Sequence, residues 1–208
     1  MATTVALKLR DDSFEPALKL QVLIYPFLQA VDLQLPSYIR YESGPWLTRS
    51  MKAFFLANYL YGSDERLAEF LNNDHVSSDA KKKLASSHMD LTTLPSKFID
   101  GFEKSNVETS EGNFSMWNEL KAKLLSPYLS PLLAETLHSL PLTYLITAEH
   151  DALRDEGFLY VRRLRQSGVE VEHRHSDIAM HGSMTMFISL PEIDDIFCAM
   201  TSFISDHL

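Results

Sequence analysis

Residues 142–183 read LTYLITAEHDALRDEGFLYVRRLRQSGVEVEHRHSDIAMHGS, and the alternation of element types within them decides the fold. Leu142 to Thr147 is a short run, apolar and rich in strand formers, as expected of a buried strand. Leu153, Gly157, Tyr160, Val161 and Leu164 then recur at helical spacing and line one face. Arg162, Arg163 and Arg165 crowd the last turn of that helix, where its dipole favours cations, and Gly168 supplies a left-handed cap. Val169 to His173 alternates as a half-exposed strand near a sheet edge. Strand, helix and strand joined by short connections imply parallel pairing, hence an α/β protein.

In open parallel sheets, ligands bind beyond the carboxyl ends of the strands. Asp151 follows the strand ending at Thr147, and His181 follows the one ending near His175, so both emerge on one rim. An aspartate there can hold one ring nitrogen of the histidine and leave the other to take a proton from a nucleophile. Other readings stay open for each residue alone. Asp151 suits the N-cap of the helix beginning at Ala152 or Leu153, and His181 suits a loop histidine bonded to backbone. His173 and His175 could offer two metal ligands from one strand face, with His181 as a third. No carboxylate or cysteine completes a recognisable ligand spacing, so no metal and no organic cofactor is expected.

Toward the N-terminus, residues 2–10 read as a helix with Val5 and Leu9 on one face. Leu20 to Tyr25 reads as a strand buried on both faces and stopped by Pro26. From Pro45 to about Leu137 the pattern is helical. Leu47, Met51, Phe54, Phe55 and Tyr59 share a face, and Ser63 is placed to cap a second helix with Asp64 and Glu65 in its first turn. Asp79 to Ser86 forms another helical piece, residues 100–116 look loop-like, and Trp117 to Leu125 is a short helix. An amphipathic helix from Pro191 to Leu208 closes the chain, with Cys198 expected in its core face beside Ile196, Phe197 and Ala199.

Composition narrows the partners. The 208 residues carry a net charge of −9, which argues against nucleic acid or an anionic membrane surface, and Lys81 to Lys83 fits a solvated helix face. One cysteine excludes an internal disulfide framework and a cysteine-based zinc cluster. No stretch approaches the ~20 apolar residues of a membrane span, and the first ten residues do not form a signal peptide. Asn113-Phe114-Ser115 is a glycosylation sequon, meaningful only in a secretory compartment.

The stretch LPLTYLITAEHDALRDEGFLYVRRLRQSGVEVEHRHSD, with LQVLIYPFLQAVDLQLPSY earlier in the chain, resembles the hormone-sensitive-lipase group of α/β-hydrolases in its arylacetamide deacetylase-like branch. The resemblance implies the C-terminal part of an α/β-hydrolase fold, mostly parallel sheet, with a helical cap insertion and the N-terminal half of the sheet missing. Residues 1–40 would give a core helix and strand, 41–138 the cap, and 139–208 the C-terminal core. Asp151 falls on the family's catalytic acid and His181 on its catalytic histidine, while Asp155, Glu156 and Gly157 match a structural acidic-acidic-Gly stretch. The implied substrates are small apolar esters or arylamides. Phe54, Phe55, Tyr59, Tyr61 and Trp117 would wall the acyl pocket or else pack the cap on the core. The family departs from this chain before His181, where its acidic-Asp-Gly-Phe run is replaced by Asp177-Ile178-Ala179-Met180.

The family's nucleophile sits in Gly-Asp-Ser-x-Gly-Gly, and this sequence has no Gly-x-Ser-x-Gly and no His-Gly-Gly-type loop for an oxyanion hole. Ala2 to Leu9 resembles the helix just downstream of that serine, so the expectation is a truncated serine hydrolase, inactive alone. The competing expectation is a non-catalytic chain that binds an apolar ligand or a protein partner, or has no function. By resemblance the full-length setting is the endoplasmic reticulum membrane, lumenal side; lacking signal and anchor, this chain alone is expected in the cytoplasm. The strand at 20–25 should expose an apolar edge.

Overall fold

The computed structural model describes residues 1–44, 46–102, 111–186 and 190–208. Helix α1 (Ala2–Asp11) leads to strand β1 (Leu20–Ile24). Helices α2 (Pro36–Arg40), α3 (Arg49–Tyr61), α4 (Leu67–Leu71), α5 (Ser78–Ser87), α6 (Ser96–Ile99) and α7 (Phe114–Leu124) follow. The chain ends with β2 (Leu142–His150), α8 (Arg154–Gln166), β3 (Val171–Met180) and α9 (Pro191–His207). The three strands form one parallel sheet in the order β1-β2-β3, with Leu20 opposite Leu142 and Thr143 opposite Val171.

The two-residue period of β2 distributes its side chains between two cores. Leu145 packs with Leu23, Ala6, Leu7, Leu159 and Leu164 beneath α1 and α8, while Tyr144, Ile146 and Ala148 meet Ile193, Ile196, Met200 and Phe203 of α9. With both faces covered, β2 is the central strand. Helix α8 lies so close to it that a Cβ on Gly157 would come within 2.5 Å of Thr147 Cγ2. The core under α1 and α8 continues without interruption into the helical stretch, through Ala53, Leu56, Phe70 and Leu120.

Several expectations are corrected. Helix α1 buries Thr3, Ala6 and Leu7, while Val5 is exposed. β1 alternates instead of being buried on both faces. Leu23 is covered, but Val22 is half-buried and Ile24 exposed, because β1 is the sheet's edge strand. Ser63 caps nothing, since α4 begins at Leu67 after a turn closed by the Leu67 N–H on the Asp64 carbonyl. Helix α3 turns Lys52, Ala53, Leu56 and Ala57 inward and leaves Met51, Phe54, Phe55 and Tyr59 exposed, so that stripe does not pack the cap on the core. Cys198 is exposed, because the buried positions 193, 196, 200 and 203 of α9 put it on the outer face. β2 and β3 run to His150 and Met180, beyond their expected ends. Residues 103–110 of the expected loop lie outside the described residues. No helix among the described residues is long and apolar enough to cross a membrane.

The short α2 was not visible in the sequence, and buried acids hold it. Asp155 Oδ2 accepts the Ser37 N–H at 2.7 Å, and Glu156 accepts the Leu28 N–H at 3.0 Å and the Tyr38 hydroxyl at 3.1 Å. Lys52 reaches in from α3 to bond Tyr38 and lies 3.2 Å from Glu156 Oε2. Burial pushes Glu156 up to about 7 against the pull of Lys52, and pushes Lys52 down.

Candidate active site

The acid and the histidine sit immediately past the tips of neighbouring strands. β2 ends at His150 and presents Asp151; β3 ends at Met180 and presents His181. A register shift between Ala148 and His150 lets β3 follow β2 to the rim. Ser176 Oγ accepts the Ala179 N–H at 3.0 Å and bends β3 on its way there. Gly182, at φ +82°, turns the chain away, a conformation that favours glycine. His181 Nδ1 lies 3.0 Å from Asp151 Oδ2, so the pair forms without the glycine that the family carries before this histidine.

Asp151 is not the N-cap that the sequence left as an alternative, since α8 begins at Arg154 with Leu153 at its N-cap; its side chain closes the turn ahead of that helix instead. Its Oδ1 accepts the Leu153 N–H at 2.9 Å while Oδ2 faces the imidazole. The carboxylate is buried and the imidazole partly open, at 1% and 25% side-chain exposure. With Nδ1 engaged by the carboxylate, Nε2 is the nitrogen available for proton transfer.

Tyr25, one residue past β1, completes the rim. Its ring lies 5.6 Å from the imidazole, and its backbone is held at φ +49°, uncommon for a bulky residue. Burial, with the Asp151 charge nearby, pushes its phenol up to about 12. A cavity of about 500 Å³ opens beside His181, walled by Phe27, Phe55, Leu56, Tyr59, Leu129 and Leu153, with Lys52 also reaching its lining. Phe55 and Tyr59 thus lie on the cavity, whereas Phe54 and Trp117 do not line it; Trp117 is packed against the main core. Asn113 N-caps α7, its Oδ1 accepting the Met116 N–H at 3.0 Å.

The imagined grouping of His173, His175 and His181 does not form. His173 and His175 both meet the Thr147 hydroxyl at 2.9 Å, and His181 belongs to Asp151. Among the described residues, one other set of donor atoms converges closely enough for a metal: Glu149, His175 and Asp177. Sequence reasoning passed over Tyr25, Lys52 and Glu149. A tyrosine at a strand's end and a lysine in a helix carry no local signal of burial.

The family described as "alpha/beta hydrolase fold" matches residues 1–86 and 88–185. Neutral cholesterol ester hydrolase 1 of Pongo abelii is 38% identical over 88% of this chain and 45% of its own length. Arylacetamide deacetylase of Bos taurus is 35% identical over 91% of this chain and 47% of its own. The chain spans about half the length of the curated relatives it matches. A thermostable esterase from Pseudomonas putida superposes with a TM-score of 0.61 at 23% identity, covering 100% of this chain and 47% of that one. A bacterial heroin esterase gives 0.57 at 24%, covering 95% and 44%. At such identities the structural likeness concerns the fold.

Proposed function

The chain belongs to this alpha/beta hydrolase family and is homologous to its arylacetamide deacetylase and neutral cholesterol ester hydrolase members; from that premise we propose that it carries the acid–base half of a serine carboxylic ester hydrolase. The observation behind the reading is the 3.0 Å contact between Asp151 Oδ2 and His181 Nδ1 beside an apolar cavity. Asp151 fixes the imidazole and stabilises its cation. His181 Nε2 takes the proton of a serine hydroxyl as that oxygen attacks the acyl carbonyl, then gives it to the departing alcohol or arylamine. Water repeats the sequence on the acyl-enzyme. The serine and the oxyanion donors come from sequence other than these 208 residues, which contain no Gly-x-Ser-x-Gly.

In this reading residues 41–138 form a cap over a core made of 1–40 and 139–208, and the cavity takes the apolar acyl group. The endoplasmic reticulum setting belongs to the same proposal, and loss of mass on endoglycosidase treatment would reveal a glycan at Asn113. The purified chain should take up no fluorophosphonate probe and should not hydrolyse a nitrophenyl ester. Preceded by the nucleophile-bearing segment of a relative, it should do both, with kcat falling about 10³–10⁴-fold in Asp151→Asn or His181→Ala. Full activity of such a fusion after His181→Ala would remove the reading. The cavity also favours a second reading, an apolar-ligand carrier. Retention of a fatty acid by the chain alone, with no catalysis by the fusion, would select it.

A further inference from the structure

Thr147 on β2 pairs with His175 on β3, and at the register shift that follows, between Ala148 and His150, Glu149 comes close to His175 and Asp177. Glu149 Oε2, His175 Nε2 and Asp177 Oδ1 consequently lie within 4.8 Å of one another. We propose that these three atoms form a binding site for a divalent transition-metal ion, zinc by the chemistry of its ligands, separate from the Asp151–His181 pair.

The spacing fits. Ligands about 2.0–2.1 Å from a tetrahedral zinc stand about 3.3 Å from each other. His175 Nε2 lies 3.3 Å from Glu149 Oε2 and 3.6 Å from Asp177 Oδ1. The remaining edge shortens by rotation of Asp177, an exposed side chain.

The inner two ligands are also oriented by partners outside the trio. Glu149 Oε1 accepts the Tyr41 hydroxyl at 3.1 Å and the Arg154 guanidinium at 2.5 Å, which turns Oε2 toward His175. His175 Nδ1 is occupied by Thr147 Oγ1 at 2.9 Å. In the metal-binding tautomer Nδ1–H donates to Thr147 Oγ1, and the threonine donates in turn to His173 Nε2, also at 2.9 Å. Such outer partners fix ring orientation and tautomer at metal sites. The single Arg154 cation is shared between Glu149 Oε1 at 2.5 Å and Asp155 Oδ1 at 2.9 Å, so it offsets only part of the charge of the trio.

A cation already stands there. Lys97 Nζ lies 2.7 Å from Asp177 Oδ1 and 3.7 Å from Glu149 Oε2. Its side chain is 56% exposed, so it can swing into water at little desolvation cost. Lys97 is therefore a built-in competitor for the metal, and this fixes the sign of its mutation.

Titration of the full chain with zinc chloride in a calorimeter tests the site. One equivalent should bind, at least tenfold more weakly in Asp177→Asn and Glu149→Gln and about tenfold more tightly in Lys97→Met, and His181→Ala should leave binding intact. Asp177 and Lys97 are exposed, so their variants fold. Absence of saturable binding in both the parent and Lys97→Met would overturn the proposal. So would binding that survives Asp177→Asn but disappears with His181→Ala.

Discussion

His75 shows what a single buried side chain contributes. It is fully buried, its Nε2 lies 3.1 Å from the Ala30 carbonyl, and its ring leans on Phe70. Burial pushes it down to about 4. Because the folded value lies below the ordinary 6.5, the unfolded chain takes the proton first. Stability is then complete above pH 6.5 and declines as pH falls through 4. The loss attributable to His75 is about 3 kcal/mol at 1.36 kcal/mol per unit. In urea unfolding, His75→Phe should lose correspondingly less stability than the parent between pH 7 and pH 4; equal losses would contradict this. Asp151 and His181 were legible at this scale because acid and base follow strands in the sequence. The inward Lys52 and outward Cys198 were not, because a helical pattern of apolar residues does not say which stripe finds a partner.

At the scale of elements, β2, α8 and β3 could be read from the sequence because each carries its own apolar pattern, although both strands run past the ends that pattern suggests. The short α2 could not, being held by Asp155 and Glu156 from far along the chain. Those acids make α8 a fastening point for α3. Lys52→Met would leave Glu156 buried without its cation, which costs about 3–5 kcal/mol when the carboxyl is ionised. Glu156 sits near 7 even beside Lys52, so the variant should be far weaker at pH 8 than at pH 5.5, where the carboxyl holds a proton. Denaturation of parent and variant at the two pH values measures the difference. Gly157→Ala would drive a methyl into Thr147 Cγ2 at 2.5 Å and should cost about 1–3 kcal/mol, measured in the same way.

For the whole molecule, the edge of β1 sets behaviour in solution. Ile24 and Phe27 are exposed beside it, and β1 pairs on one side only among the described residues. An uncovered parallel edge recruits other chains. Sedimentation should show concentration-dependent association, and Ile24→Lys should reduce it; a monomer at all concentrations would count against the edge. The edge position was foreseen from the resemblance, whereas the outward stripe of α3 was not, since periodicity reports a face without its direction. The continuous apolar cluster from Ala6 through Ala53, Leu56 and Leu120 to Leu164 has a mechanical corollary. Among the described residues no seam separates the helical stretch from the sheet along which either could hinge as a rigid body. Heating should then melt both parts together in one transition.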